Sequence, residues 1–220
     1  PSPGYGIVYP ALLSPAYAAF DSLPEAYAAV KTLNSLVMSL AAIPAYFLAR
    51  RVIGPWLSLL AAVLAVSIPS LVYTGTVMTE NVFYPVFLTV ALVFVLTLER
   101  PSAARQVLLL AGIGLAFATR AQAVALVPAV LSAPLLLALF RRESWLVTLR
   151  PFRWLYAAVV GGAVAVAGVQ LARGRSLSDL FGAYSVVGDS EYDVLEVLRY
   201  FVYHLAELDL YLGIVPLAAT

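Results

Sequence analysis

The residues best suited to chemistry in this chain are few, and most are charged. Glu80, in Met78-Thr79-Glu80-Asn81, stands immediately before residues 81–98, eighteen positions without a charge. An acid at the mouth of such a run has two readings. As a capping acid it gains about 0.3–1 kcal/mol from the positive end of a helix. As a functional acid it orients a hydroxyl, holds a metal or moves a proton. Thr79 is expected to supply the cap, which leaves the carboxylate for other work. Asn81 either orients a substrate hydroxyl or caps. Arg120 is the second candidate. Residues 106–119 number fourteen, which at about 1.5 Å each fall short of a hydrocarbon core roughly 30 Å thick. Arg120 is therefore expected below the surface, where an ionisable group faces a wet cavity or a bound counterion such as a lipid-linked phosphate. A helix beginning nearer Ser102 would instead let it snorkel to the interface. Lys31, in Lys31-Thr32-Leu33-Asn34, carries a weaker form of the same argument.

His204 and Glu207 are spaced i, i+3 and share a helical face, so they could bind a divalent ion together or with Glu80. A hydrogen-bonded interfacial histidine explains the same spacing. Tyr9, with Tyr5, Tyr17, Tyr73 and Tyr84, either lines a sugar or lipid groove or belongs to an aromatic interfacial belt. The chain has no GxGxxG cradle, Walker loop, HExxH or serine elbow, which speaks against nucleotide and redox cofactors. Zero cysteines exclude disulfides and thiolate metal sites.

These side chains must be held by helices in lipid. Hydrophobic residues make up 63% of the 220 positions, charged ones 11%, and the mean hydropathy is +0.94, more apolar surface than one soluble core of this size buries. Spans are expected at 27–52, 55–74, 80–98, 103–119, 121–140 and 154–172, with an incomplete seventh at 208–220. Period-two alternation is absent, so the expected fold class is all-α: a polytopic integral membrane helical protein forming a single transmembrane module over residues 1–220. Gly54-Pro55 marks a tight turn between a helix over 23–52 and the next. Residues 1–23, rich in Pro, Gly and Tyr, are expected to pack as a re-entrant or interfacial segment. Residues 173–207 read as an extracytoplasmic loop with amphipathic helices, started by Ser176 with Asp179 and by Ser190 with Asp193. The chain opens at Pro1 and stops in an apolar run at Thr220, which predicts a piece of something longer.

Threading the runs alternately through a bilayer sorts the charges. Eight arginines (50, 51, 100, 105, 141, 142, 150 and 153) meet only Glu99 and Glu143 on one side, a net of +6. The other side has Lys31, Arg120, Arg173, Arg175 and Arg199 against ten acids, a net of −5. The basic side is expected to be cytoplasmic, which puts Glu80 and Arg120 on the extracytoplasmic face. No basic tract of the nucleic-acid type exists, so no nucleic-acid partner is expected.

Tyr9-Pro10-Ala11-Leu12-Leu13-Ser14-Pro15, Ala29-Val30-Lys31-Thr32-Leu33-Asn34 and Ala49-Arg50-Arg51-Val52-Ile53-Gly54 resemble the start of GT-C membrane glycosyltransferases. Met78-Thr79-Glu80-Asn81 is similar to the acid-bearing motif of their second outside loop, and Ala118-Thr119-Arg120 to their short-helix pair with a basic residue at its outer turn. The likeness covers most of the chain and is closest to the family 39 type, which includes protein O-mannosyltransferases and lipid A aminoarabinose transferases.

The resemblance implies a GT-C-like transmembrane module that moves a sugar from a polyprenyl-phosphate donor to a lipid, glycan or protein acceptor on the outside face, usually with inversion. It also implies that the acidic general base lies in the first outside loop, ahead of the Tyr-Pro motif and of Pro1. Asp21 and Glu25 come after that motif and do not replace it. Glu80 would then be an auxiliary acid positioning the acceptor or a metal, with Arg120 and Lys31 on the donor phosphate and Tyr9, Asn81 and His204 as further substrate contacts. The other classes compatible with the sequence are a secondary transporter and a non-catalytic scaffold that binds polyprenyl lipids.

Overall fold

The computed structural model describes residues 6–176 and 193–211, and every regular element among them is a helix. The chain divides into two units, Pro1–Leu177 and Ser178–Thr220.

The first unit begins with α1 (Val8–Ala19), twelve residues long and, at about 1.5 Å per residue, too short to cross a bilayer. Pro15 inside it cannot donate to the Ala11 carbonyl, and the Ser14 hydroxyl does so instead at 2.9 Å. Ser22 caps α2 (Leu23–Ser39): its Oγ accepts from the Glu25 N–H at 3.4 Å and donates to Glu25 Oε2 at 2.7 Å.

The single helix expected over 23–52 is interrupted. α3 (Ala42–Ala49) follows α2 after a short tightening of the backbone. Pro44 cannot donate to the Leu40 carbonyl, which accepts instead from the Ile43 N–H at 3.2 Å, an i→i−3 bond. Helix ends at Ala49, and residues 50–54 turn the chain into α4 (Pro55–Tyr73).

Next come α5 (Glu80–Glu99) and α6 (Ala103–Thr119). Ser102 caps α6 by accepting from the Arg105 N–H at 3.3 Å, so the helix has seventeen residues. The fourteen charge-free positions used to set the depth of Arg120 therefore understate its length by nearly a turn. After Arg120 a 3₁₀ turn (Ala121–Ala125) leads into α7 (Leu126–Arg141). Then follow α8 (Trp145–Leu149), a second 3₁₀ turn (Arg150–Phe152) and α9 (Arg153–Ala172). Among the described residues, four helical stretches, Leu23–Ala49, Glu80–Glu99, Ala121–Arg141 and Trp145–Ala172, are long and apolar enough to cross a membrane, and Pro55–Ser67 and Ala103–Thr119 are shorter apolar stretches. This is a multi-pass, all-α membrane fold.

Two apolar clusters hold the unit together. Val90, Leu109, Ile113, Val130, Phe152 and Leu155 join α5, α6, α7 and α9, while Tyr9, Leu13, Val30 and Val82 fasten α1 to α2 and α5. α5 and α6 run antiparallel and close, because Gly112 leaves room for Val90: a Cβ there would meet Val90 Cγ2 at 2.9 Å. Gln106, buried on α6, donates to the Pro151 carbonyl at 2.8 Å and accepts from the Leu155 N–H at 2.9 Å, tying α6 to the start of α9. At the same end Arg51 pairs with Glu99, and Arg105 Nη1 donates to the Leu96 and Arg100 carbonyls, both at 2.9 Å, closing the C-terminus of α5.

In the second unit, α10 (Val194–Tyr211) starts at Asp193, whose Oδ1 accepts from the Leu195 N–H at 3.2 Å. Asp193 is thus itself the capping residue of this helix. Asp179 and Ser190, and residues 212–220 of the expected seventh span, lie outside the described residues. The apolar positions Val194, Leu198, Phe201, Val202 and Leu205 of α10 are exposed.

Candidate functional site

The loop between α4 and α5 is built around two buried amides. Asn81 Nδ2 donates to the carbonyls of Tyr73 at 3.0 Å and of Thr76 and Met78 at 3.1 Å. Asn34, on α2, donates to the same Thr76 carbonyl at 3.0 Å and accepts from the Tyr9 hydroxyl at 3.1 Å. Helices α1, α2, α4 and α5 and the loop are thereby locked at one end of the bundle, just under the first turn of α5. Asn81 Oδ1 is buried with no hydrogen-bond partner among the described residues.

Glu80 is the first residue of α5. Thr79 makes no capping hydrogen bond; its hydroxyl lies 3.4 Å from Glu80 Oε2. The expectation that Thr79 caps the helix is therefore corrected. Its helical backbone angles (φ −63°, ψ −19°) differ from the extended conformation that aims a capping side chain at the free N–H groups.

Arg120 enters from the opposite chain direction. Its backbone leaves the helical region (φ −149°, ψ 130°) while its N–H still bonds to the Ala116 carbonyl at 2.8 Å, so the residue is the C-cap of α6. The guanidinium forms an ion pair with Glu80 through Nη1 and Oε1. Its Nε donates to Gln122 Oε1 at 3.2 Å, and its Cζ lies 5.8 Å from the centre of the Phe83 ring. Both partners of the pair are 24% exposed, covered on most sides yet open to an incoming group. Arg120 is thus a paired, mostly covered charge, on a helix that starts directly after Ser102 as the alternative reading expected.

Helix electrostatics explain the pairing. α5 presents its N-terminus to Glu80, and the antiparallel α6 presents its C-terminus to Arg120. Each charge therefore sits at the helix end that favours it, and the two ends adjoin because α5 and α6 pack side by side. The backbone before α1 completes the setting: a Cβ on Gly6 would lie 2.2 Å from the Ala118 carbonyl oxygen and 2.3 Å from that of Thr119. Only a residue without a side chain lets this segment lie against the turn that carries Arg120.

The structure thus joins two of the expected site residues and separates the rest by role. Tyr9 is 4% exposed and Asn81 fully buried, both engaged in the lock beneath the pair. Lys31 is exposed on α2 with Nζ 5.1 Å from the centre of the Tyr27 ring. His204 and Glu207 are exposed on α10 in the second unit, with His204 Nδ1 2.8 Å from the Tyr200 carbonyl oxygen. No group of three or more His, Asp or Glu converges among the described residues. Sequence reasoning missed Gln122, Phe83 and Gly6. Phe83 follows Glu80 by one helical turn, a spacing that could have singled it out; Gly6 carries no such signal.

An all-α, multi-pass helical membrane module is consistent with a GT-C-type glycosyltransferase. A family model described as dolichyl-phosphate-mannose-protein mannosyltransferase matches residues 9–170, and the chain belongs to that family. The matched region contains Glu80 and Arg120 and stops before His204 and Glu207. No curated protein and no solved structure gives a significant match. Family membership supports enzymatic transfer of a sugar from a polyprenyl-phosphate-linked donor in general terms.

Proposed function

We propose that this protein transfers a sugar, with inversion at the anomeric carbon, from a polyprenyl phosphate to a lipid, glycan or protein acceptor on the extracytoplasmic face. In the reaction the bond between the anomeric carbon and the phosphate oxygen breaks as the acceptor oxygen attacks from the opposite side. The acceptor proton passes to a general base, and the polyprenyl phosphate leaves with the bonding electrons. The charge accumulating on that phosphate is the part of the transition state that a preorganised arginine stabilises in a water-poor site.

The observation that carries this reading is the Glu80–Arg120 pair. A guanidinium has five N–H donors, and the bonds to Glu80 and Gln122 engage Nη1 and Nε, so an incoming phosphate can be met while Glu80 keeps the fork in place. In this reading Arg120 binds the leaving phosphate, Lys31 adds a second cation, and Glu80 is an auxiliary acid that aims Arg120 and the acceptor hydroxyl. The general base belongs to the segment that the family resemblance places ahead of Tyr9. Glu80 Oε1 is engaged by Arg120, and this reading routes no step through a divalent ion. The extracytoplasmic placement is supported by the basic charge of the other end of the bundle.

The test uses the full-length protein, gently purified, in native mass spectrometry. Wild type is expected to retain a polyprenyl phosphate and Arg120→Ala to lose it while remaining monodisperse, with turnover reduced about a hundredfold or more. Equal lipid retention and equal turnover in the variant would remove Arg120 from the phosphate site. Absence of any prenyl lipid from well-folded wild type would favour a transporter, and retained lipid without turnover in wild type would favour the scaffold.

A further inference from the structure

The opposite end of the α5–α6 pair carries a second cationic site. A cavity of ≈ 330 Å³ opens between the first turn of α6, with Ser102 and Gln106, and the turn into α9, with Arg150, Pro151, Arg153 and Trp154. That volume lies at the lower end of the range for small-ligand pockets, about 300–1,000 Å³. Gln106 fixes both walls, donating to the Ser102 and Pro151 carbonyls at 3.3 and 2.8 Å and accepting from the Leu155 N–H at 2.9 Å.

Arg150 opens a 3₁₀ turn and Arg153 follows three residues later, so the two side chains leave the same side of the backbone. Neither has a carboxylate partner among the described residues. The two acids of this end are engaged elsewhere: Glu99 pairs with Arg51, and Glu143 Oε2 accepts from the Thr148 hydroxyl at 3.1 Å. Two like charges share a rim with nothing to balance them, which calls for an anion. The surroundings set its source. Arg153 lies over the Trp154 ring at 5.3 Å, and Trp154 is 56% exposed. The adjoining α8 exposes Trp145, Leu146 and Val147, and this stretch opens the membrane-length segment Trp145–Ala172. Exposed tryptophans beside arginines at the start of such a segment belong to the headgroup level of a bilayer.

We infer that Arg150, Arg153 and Trp154 form a binding site for the phosphate headgroup of an anionic phospholipid, separate from the Glu80–Arg120 site. The arginines take the phosphodiester oxygens, and the apolar surface of α8 and Trp154 takes the glycerol and upper acyl chains. Sugar transfer is not needed for this binding, so the inference stands or falls apart from the proposed reaction.

The test reconstitutes the full-length protein in phosphatidylcholine vesicles with a trace of spin-labelled phosphatidylglycerol or phosphatidylcholine and measures the motionally restricted lipid. Wild type is expected to prefer phosphatidylglycerol. R150Q/R153Q, which keeps most of the side-chain bulk and removes both charges, should lower that preference about tenfold or more, and R150K/R153K should keep most of it. A wild type without preference, or an R150Q/R153Q variant that retains it, would overturn the site. A wild type that binds inorganic phosphate but shows no lipid preference would assign the cavity to a free anion and overturn the lipid. If R150Q/R153Q does not fold, the wild-type and phosphate arms still decide.

Discussion

At the scale of single residues, the Glu80–Arg120 pair turns two ambiguous charges into one device. Glu80 read alone is a helix cap, and Arg120 read alone is a snorkelling interfacial residue. Paired, each neutralises the other while the terminal dipoles of α5 and α6 hold both in place. At 24% exposure the pair lies between a surface pair, worth about 0–1 kcal/mol, and a buried one, where loss of one partner costs about 3–5 kcal/mol. Its effect on a reaction depends instead on orientation. Glu80→Gln keeps the shape and removes the charge that aims the guanidinium. It is expected to lower sugar transfer at least about tenfold, or about 1.4 kcal/mol in the barrier, and to lower the melting temperature modestly, because Arg120 stays mostly covered without its counter-charge. Steady-state kinetics matching wild type would return Glu80 to the role of a cap. Tyr9 and Asn81 show the opposite lesson. Their types suggested substrate contact, but their burial and bonds make them the lock beneath the pair.

At the scale of elements, proline and glycine decide how the site is delivered. Pro44 divides the first long helix, Pro15 is accommodated by Ser14, and the Ser102 cap starts α6 early enough to bring Arg120 level with Glu80. Gly6 is the tightest point, because the atoms it faces are backbone carbonyls that cannot rotate away. Gly6→Ala is expected to destabilise the fold by about 1–3 kcal/mol, the usual cost of overpacking, and to lower transfer as the Arg120 turn shifts. Gly114 provides the control: a Cβ there meets nothing within 4 Å, and Gly114→Ala in mid-helix should be neutral or stabilising by up to about 1 kcal/mol. Thermal unfolding of both variants in detergent checks the contrast; equal melting temperatures would mean that the segment before α1 bears no load on α6.

At the scale of the whole molecule, the two ends of the first unit have different characters. One end holds Glu80, Arg120 and the amide lock; the other holds the arginines and the Arg150–Arg153 cavity. Charge asymmetry of this kind sets orientation in a bilayer, and the absence of cysteine from these 220 residues makes orientation simple to read. Val77→Cys, in the loop before Glu80, should react with a membrane-impermeant maleimide in intact cells. Ser144→Cys, in the loop between α7 and α8, should react only after the membrane is opened. Both positions are exposed and uncharged, so the substitutions leave the sorting of charge unaltered. The reverse pattern would invert the orientation and move the proposed transfer to the other face.

Composition and hydropathy alone determined that the chain is helical and lies in a membrane, because long apolar runs must satisfy their backbone groups internally whatever surrounds them. Charge sorting set an expected orientation for the same reason: it depends on counts along the chain and not on contacts. The motif order from Tyr9 to Arg120 was also legible and led to the family that the chain matches over residues 9–170. Only the tertiary structure decided which candidates meet. Glu80 and Arg120 are forty residues apart in sequence, and their contact depends on the register of α5 against α6, on Gly112 admitting Val90 and on where Ser102 starts the helix. Those are packing quantities, set by side-chain shape across a helix interface, and no periodicity within one segment contains them.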